Sequence, residues 1–194
     1  LFCTGDAVAA GNSQAALGLH IATTSPASPC NPSGLTRYTI HEVTGLLSGP
    51  GGPFFFVYLL VCNGSESPGI AGFECGLHYL GGFSGGGGFS PINVFSWNLC
   101  ADAETPVGWP SPGGSTLITW LPENCQQGRS EASDPGSVIA VAGYFYVAAY
   151  DDGGPWMMQV LPRFDTNQTR VFGCDGGVDD LNGYIPPRLG MAGF

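Results

Sequence analysis

Glycine and proline constrain the fold of this chain more than any other feature. The 194 residues include 32 glycines and 16 prolines, and no stretch of ten residues between them keeps a helical repeat of apolar positions. Short apolar or alternating segments are separated by clusters of Gly, Pro, Asn, Asp and Ser, which is typical of strands and turns. We therefore predict an all-β protein, an antiparallel β-sandwich of about ten strands, stabilised by disulfides.

The predicted strands differ in how their apolar residues are arranged. Residues 36–43 alternate as a half-buried strand does, whereas residues 54–62 are apolar on both faces and predict a central or doubly covered strand. Residues 137–150 are long enough for one bent strand or two short ones. The other predicted strands are residues 15–24, 69–80, 92–100, 116–121, 156–161, 169–174 and 189–194. The segments 23–36, 81–88 and 105–115 are predicted to be loops, rich in Pro and Ser, in Gly, and in Pro respectively.

The chain predicts one domain, residues 15–194, preceded by an arm of residues 1–14. The arm contains an apolar run at residues 7–10, so it is either an edge strand of the same domain or a donor strand that joins the sheet of a neighbouring copy. Residues 188–194 are a second donor candidate, although their pattern fits the last strand of the domain better. We expect a mature, processed chain, because no signal peptide is present.

The charge pattern excludes several classes of partner. The chain has no lysine and a net charge of −10, and only 10% of its residues are charged, against about 25% in ordinary soluble domains. Such a chain is unsuited to nucleic acid or to an anionic membrane surface. No segment approaches the length of a membrane span. A surface this poor in charge fits a secreted domain with a polar, uncharged exterior, or permanent burial against copies of itself.

Cysteine usage predicts an extracellular, disulfide-bonded protein. The seven cysteines form no C-x-x-C pair, so structural disulfides are favoured over zinc or thiol redox chemistry. They are Cys3, Cys30, Cys62, Cys75, Cys100, Cys125 and Cys174. Because the count is odd, one cysteine is an inert buried thiol, or bonds to something outside the chain.

The spacing of the cysteines suggests possible disulfide pairs but does not determine them. Cys62 ends one predicted strand and Cys75 lies in the next, so a hairpin would bring them together. A bridge from Cys100 to Cys125 would clip the Pro-rich loop between them.

The remaining three cysteines leave alternatives. Cys3 and Cys30 would tether the arm and leave Cys174 unpaired. Alternatively, Cys3 is the odd cysteine and bonds to a neighbouring chain.

No motif in the chain supports catalysis. The absence of lysine excludes a P-loop lysine and a Schiff base. Ser84 lies in a G-x-S-x-G pattern, but that motif requires a strand–turn–helix that a polyglycine loop does not offer. His20, His41 and His78 are far apart in predicted strands, as packing residues are. We expect no enzymatic activity.

An acidic segment near the C-terminus is a candidate calcium site. Asp175, Asp179 and Asp180 supply oxygen ligands among glycines, although their spacing does not fit an EF-hand. The alternative is a solvated hairpin turn, because Asp-Gly is common turn chemistry. No other cofactor is expected.

Two features of the sequence relate to sugar. Trp109 and Trp156 lie beside loops and are candidates for stacking on a glycan, with packing in the core as the favoured alternative. Asn63 and Asn167 begin N-glycosylation sequons in predicted turns. Covalent glycans at one or both asparagines are therefore a candidate modification.

Several segments resemble an uncharacterised group of secreted bacterial β-sandwich proteins, similar to cohesin-like and immunoglobulin-like modules. The resemblance is carried by strand ends, turns and cysteines over residues 15–194. The segments are ALGLHIATT, FFFVYLLVCN with GIAGFECGLHY, WNLCAD with GGSTLITWLPENCQ, AVAGYFYVAAY, and CDGGVDD with LGMAGF. It implies a secreted β-sandwich and implies no activity.

Two functions follow as hypotheses. The first is a structural subunit of an extracellular filament or surface assembly, a homopolymer formed by strand addition, which would close an exposed sheet edge with main-chain hydrogen bonds. The alternative is a secreted module that binds carbohydrate or protein, with Trp109 and Trp156 as an exposed row.

Overall fold

The all-β prediction is confirmed. A computed structural model of the chain describes residues 11–22, 30, 54–83, 91–128, 137–149, 156–183 and 189–193. These residues form twelve strands and a single short 3-10 turn, Pro122–Asn124. In chain order the strands are β1 (Ala16–Ala22), β2 (Phe54–Ser65), β3 (Gly72–Tyr79), β4 (Gly81–Phe83), β5 (Ile92–Leu99), β6 (Ala103–Val107), β7 (Ser115–Thr119), β8 (Ser137–Ala149), β9 (Met157–Leu161), β10 (Arg170–Phe172), β11 (Val178–Asp180) and β12 (Met191–Gly193). Over the described ranges, no helix has the length and apolar character needed to cross a membrane.

The strands form two sheets. The first sheet has the order β1–β2–β8–β5–β4, antiparallel throughout except for the parallel pair β4–β5. The second sheet has the order β11–β10–β3–β7–β6. Strand β9 pairs with the later residues of β3, and β12 pairs with β9. The chain changes sheets five times, between β2 and β3, β3 and β4, β5 and β6, β7 and β8, and β8 and β9.

One core lies between the two sheets. Successive strand residues point to opposite faces, so every second residue of each strand points inward. Val57 and Phe145 from the first sheet and Phe73 and Leu77 from the second are all fully buried in one cluster. The two sheets therefore pack in a sandwich-like arrangement.

The first sheet is also buried on part of its outer side. Strand β2 lies between β1 and β8, and its outward residues Tyr58 and Leu60 are 0% and 8% exposed. They belong to a second apolar cluster with outward residues of β1 and β8. The prediction of a central or doubly covered strand at residues 54–62 is confirmed, since β2 is an inner strand of its sheet.

The last strand connects the sheets. The amide of Gly190 donates to the carbonyl of Leu17 in the first sheet at 2.8 Å, and its carbonyl accepts from the amide of Val160 in the second at 3.0 Å. A Cβ atom at Gly190 would lie 3.0 Å from the Cα of Gly18, so glycine permits this close approach. Residues 189–193 therefore pair within their own chain, as the prediction of a last strand requires.

Three strands were not predicted. β4 opens the predicted Gly-rich connection, β6 includes the start of the predicted Pro-rich loop, and β11 lies where an acidic turn was expected. Residues 137–149 form one strand with a register shift opposite β2, not two strands. The predicted strand at residues 36–43 lies outside the described residues.

Asn12 connects the end of the predicted arm to the folded domain. It is fully buried, its side-chain amide donates to the Gly69 carbonyl at 2.7 Å, and its side-chain oxygen accepts from the Ser65 amide at 2.9 Å. The backbone amide of Asn12 donates to Asp179 at 2.7 Å. Residues 11–14 of the predicted arm therefore belong to the described structure, and residues 1–10 lie outside the described part.

Candidate functional site

Trp109 and Trp156 do not form the exposed row that the sequence suggested. Trp109 is 9% exposed, and its ring centroid lies 5.4 Å from that of Trp97 and 5.6 Å from that of Phe145. Trp156 is half-buried and packs against the same core. The Trp109 ring turns inward because the Pro-rich segment is hydrogen-bonded to β3, with the Tyr79 hydroxyl donating to the Pro110 carbonyl at 3.0 Å.

A row of aromatic side chains covers the outer side of the first sheet instead. Neighbouring rings have centroids 5.3–5.9 Å apart, and the ring planes of Phe54 and Tyr146 are stacked at 21°. The residues of this aromatic face are Phe54, Phe56, Tyr58, Phe95, Tyr144 and Tyr146. Its exposure is graded, from 46% at Phe54 and 37% at Phe95 to none at Tyr58.

Strand periodicity and register produce the aromatic face. Phe54, Phe56 and Tyr58 alternate along β2 and all point outward. Tyr144 and Tyr146 alternate in the same way along β8, where they lie opposite Tyr58 and Phe56. Aromatic pairs at these cross-strand positions stabilise a sheet. The two period-two aromatic runs were present in the sequence and were the signal for this face.

The buried end of the aromatic face contains an unsatisfied polar group. The Tyr58 hydroxyl is buried and has no hydrogen-bond partner among the residues that the structure describes. Burial, together with the neighbouring Tyr144, raises the pKa of Tyr58 to about 12. The phenol therefore stays neutral at any physiological pH.

The two sheets differ in charge. The strands of the first sheet contain no Asp, Glu, Lys or Arg at all. The strands of the second sheet contain five such residues, namely Glu74, Glu104, Arg170, Asp179 and Asp180. The aromatic face is therefore uncharged, while ionised groups concentrate on the other sheet.

The charges of the second sheet are paired around Glu74. This residue is 2% exposed, and its carboxylate accepts from Arg170 and, at 3.4 Å, from Arg163. Arg163 also pairs with Asp165, and this hydrogen bond lowers the pKa of Asp165 and raises that of Arg163. A buried carboxylate is tolerated only with such partners. The cluster is a structural ion-pair network on the outer side of β3.

The disulfides differ from the predicted pairs. Cys30 bonds to Cys100 and Cys125 bonds to Cys174, with Cα atoms 5.3 and 6.1 Å apart. The predicted pairs Cys100–Cys125 and Cys3–Cys30, and an unpaired Cys174, are therefore wrong. The prediction failed because each bridge joins segments far apart in sequence.

The hairpin bridge from Cys62 to Cys75 is also wrong. Cys62 is disulfide-bonded to a residue outside the described part of the chain, whereas Cys75 is a free thiol. Cys62 points outward from the first sheet and Cys75 inward from the second, so β2 and β3 do not form the expected hairpin. Burial raises the pKa of the Cys75 thiol well above its usual value, so the thiol is unreactive. Cys3 lies outside the described residues.

The three acidic residues proposed for calcium do not converge. Asp175 accepts from the Gly177 amide at 2.9 Å and Asp180 from the Asn182 amide at 2.8 Å, as in local turns, while Asp179 anchors Asn12. Asp179 and Asp180 are adjacent in β11, so their side chains leave on opposite faces. Across the described ranges, no three His, Cys, Asp or Glu residues are arranged to hold a metal ion.

The two sequons differ in accessibility. Asn63 lies within β2 at a register shift, and its side-chain oxygen is buried. Asn167 follows a turn and is exposed. Both have a φ of 54°, in the left-handed region. Asn167 is therefore the more exposed of the two sequon asparagines, since Asn63 is half-buried.

Two clefts lie beside the disulfides. One of about 200 Å³ is lined by the Cys30–Cys100 bridge together with Asp102, Trp120 and Asn124. The carboxylate of Asp102 accepts from the Leu121 amide and the Asn124 side chain, so its oxygens are already engaged. A second cleft of about 450 Å³, lined by residues including Ser67, Pro68 and Asp175, is shallow. Neither cleft brings a nucleophile and a base together, and Ser84 and His41 lie outside the described residues.

The sheet edges are unequal. In the second sheet, β6 contains Pro106, which offers no amide to an incoming strand, and β11 ends in two aspartates. In the first sheet, the pairing described for β4 is with residues 92–94 of β5. Among the described residues, no strand pairs with residues 95–99 on that side. These residues, which we call the β5 edge, are exposed or half-buried.

Comparison with known proteins gives no relative: no protein family matches the chain, and no curated protein matches its sequence.

Proposed function

We propose that this protein is a structural subunit of an extracellular assembly, in which copies join by strand addition at the β5 edge. The observation that supports it is that residues 95–99 have no described partner on one side, whereas Pro106 in β6 and the aspartates of β11 obstruct two edges of the second sheet. An incoming strand there would satisfy amides and carbonyls that otherwise face solvent. The disulfides fit an oxidising compartment outside the cell.

The donor in this proposal is the segment before residue 11. The C-terminal candidate is already used within its own chain, because β12 pairs with β9. Ten extended residues reach at most about 35 Å, which is enough to span a neighbouring strand. A deletion that tests the arm has to stop before Gly11, since removal of the buried Asn12 would disturb the fold itself.

The experiment combines microscopy with hydrogen exchange. Negative-stain images of the native protein, with and without reductant, show whether regular assemblies form. Exchange measured by mass spectrometry then compares dispersed with assembled protein. We expect residues 95–99 to become protected on assembly, while residues 103–107 of β6, a blocked edge, serve as the matched control and stay unchanged. Assemblies in which residues 95–99 exchange as fast as in the dispersed protein would refute the β5 edge as the acceptor.

A binding module is the second candidate, and the exposed end of the aromatic face favours it. Phe54, Phe95 and Tyr146 share the outer side of the first sheet with Asn93, whose amide oxygen is buried and has no partner among the described residues. Aromatic rings next to amide groups are suited to a neutral glycan. Screening on a glycan array would test this role, with loss of binding in Phe95→Ala as the expected result. If sugar is attached to the protein itself, we propose Asn167 as its site, which glycosidase treatment of the native material would reveal.

A further inference from the structure

We infer that the aromatic face is a contact between two copies of this chain, packed sheet against sheet. The inference rests on the proposed assembly of copies and names a second contact in it, distinct from the β5 edge. An antiparallel sheet normally keeps one face polar and solvated. Here the outer side of the first sheet presents Phe54 and Phe95 at 46% and 37% exposure, beside half-buried tyrosines.

The chemistry of the exposed rings favours an apolar partner. Phe54 and Phe95 have no hydrogen-bonding group, so their exposed surface is stabilised most by contact with another apolar surface. Both rings contact Tyr146, at centroid distances of 5.3 and 5.7 Å, so they are held in place before a partner arrives. Rigid aromatic side chains lose little conformational entropy on binding, which is why they dominate protein interfaces.

The charge distribution fits a second copy as the partner. The chain carries a net charge of −10, so two copies repel each other wherever their acidic groups come close. The strands of the first sheet carry no charge, and the charged strands belong to the opposite sheet. With packed sheets about 10 Å apart, the second sheets of two facing copies lie roughly 30 Å apart, so the charged strands of one copy are beyond the screening length of about 8 Å from those of the other at physiological salt.

In a symmetric contact of this kind, each copy contributes the same rings, so one dimer buries two Phe54 and two Phe95 side chains. The exposed rings alone cover less than the roughly 800 Å² per partner of a stable interface. We therefore expect a weak, concentration-dependent dimer that gains strength when many copies are joined. Because no ion pair crosses the contact, added salt should leave the dimer intact.

The test is sedimentation velocity of the full chain over a range of concentrations. The variant Phe54→Ser with Phe95→Ser removes the exposed rings, and Phe164→Ser is the matched control. Phe164 is 52% exposed and packs over Gly76 on the outer side of the second sheet. We expect the double variant to raise the dimer dissociation constant about a hundredfold or more, since four partly exposed rings are lost from each dimer. The control variant should dimerise like the wild type.

Hydroxyl-radical footprinting of the unmutated protein keeps the inference testable if the double variant misfolds. Labelling of Phe54 and Phe95 should fall as concentration rises, while labelling of Phe164 stays constant. Equal dimerisation of the double variant and the wild type would overturn the aromatic contact and leave strand addition untouched. If the wild type sediments as a monomer but forms filaments in the microscope, the aromatic contact would likewise be overturned and strand addition would stand. Monomers with no filaments would refute the proposed function, and a glycan bound at Phe54 and Phe95 of a monomer would favour the binding module.

Discussion

The bridge between Cys125 and Cys174 offers the sharpest test of the packing. Cys125 follows the 3-10 turn after β7, and Cys174 follows β10, so the bond connects segments 49 residues apart at one end of the second sheet. The perturbation is the double variant Cys125→Ser with Cys174→Ser. The backbone pair of Ile70 with Gln126, bonded in both directions at 2.9 and 3.0 Å, remains beside it and should preserve the fold.

The magnitude follows from the closed loop. Cross-linking a loop of about 50 residues removes about 14 cal/mol/K of entropy from the unfolded chain, or about 4 kcal/mol at room temperature. Since a domain of this kind is stable by about 5–15 kcal/mol in total, the variant should remain folded with a much lower free energy of unfolding. The unfolded state of the variant should also be more expanded, so its free energy of unfolding should fall more steeply with urea concentration.

The assay is urea unfolding followed by tryptophan fluorescence, with linear extrapolation to water. Cys75→Ala is the control, since it removes a cysteine of the same sheet that forms no bridge. We expect the control to cost about 1 kcal/mol, as small core truncations do. A loss below about 1 kcal/mol in the double variant, with unchanged denaturant dependence, would refute the reasoning. Peptide mapping without reductant would then show whether Cys125 pairs elsewhere.

Three further predictions concern buried polar groups. Cys75 should resist alkylation in the native protein and react only in denaturant, because burial raises the pKa of its thiol; labelling of the native thiol would contradict this. Glu74→Ala should cost about 3 kcal/mol in urea unfolding, since it leaves Arg163 half-buried without this partner, and a loss under about 1 kcal/mol would show that the network contributes little. The raised pKa of Tyr58 means that its neutral form is favoured in the fold. The neutral Tyr58 side chain makes its full contribution to the free energy of unfolding below the ordinary pKa of 10.0, and this contribution is lost as pH rises toward about 12. Tyr58→Phe should therefore reduce the loss of stability at high pH, and an unchanged alkaline profile would refute the assignment.

The strands that sequence predicted best are those whose own residues require burial. β2 and β8 are long, rich in β-branched and aromatic residues, and bounded by turn residues, so their positions were clear in advance. β4, β6 and β11 were missed because they are short edge strands made of Gly, Pro or Asp. Their extended form comes from pairing with β5, β7 and β10, which is a tertiary effect that local propensity does not contain.

The disulfides failed for a different physical reason. Predicting Cys62 with Cys75 assumed that consecutive strands are neighbours in one sheet, but the chain changes sheets between β2 and β3. The phase of each strand then places one sulfur outside the sandwich and the other inside it. Cys100 and Cys125 likewise lie on either side of the crossing from β5 to β6 and on to β7. Pairing therefore depended on the path of the chain, which spacing alone does not give.

The same path explains why the aromatic residues divided as they did. Trp109 belongs to a segment hydrogen-bonded along β3, which turns the ring into the core, while Phe54 and Phe56 of β2 alternate onto the outer side. Sequence reasoning chose the two tryptophans beside loops as the candidates for exposed rings, although it favoured packing in the core for them. Strand phase, which the period-two runs at residues 54–58 and 144–146 already contained, was the better guide to which rings face solvent.

The two proposed contacts meet at Phe95. This residue lies in the β5 edge and its ring belongs to the aromatic face, at 5.8 Å from the ring of Phe54. A strand added at the β5 edge would extend the first sheet by about 4.8 Å, and its outward side chains would lie directly beside Phe95. Strand addition would therefore enlarge the surface through which two copies pack, so each contact should strengthen the other. In that arrangement, loss of the rings at Phe54 and Phe95 leaves chains of copies that no longer associate side by side, whereas loss of strand addition leaves only weak dimers.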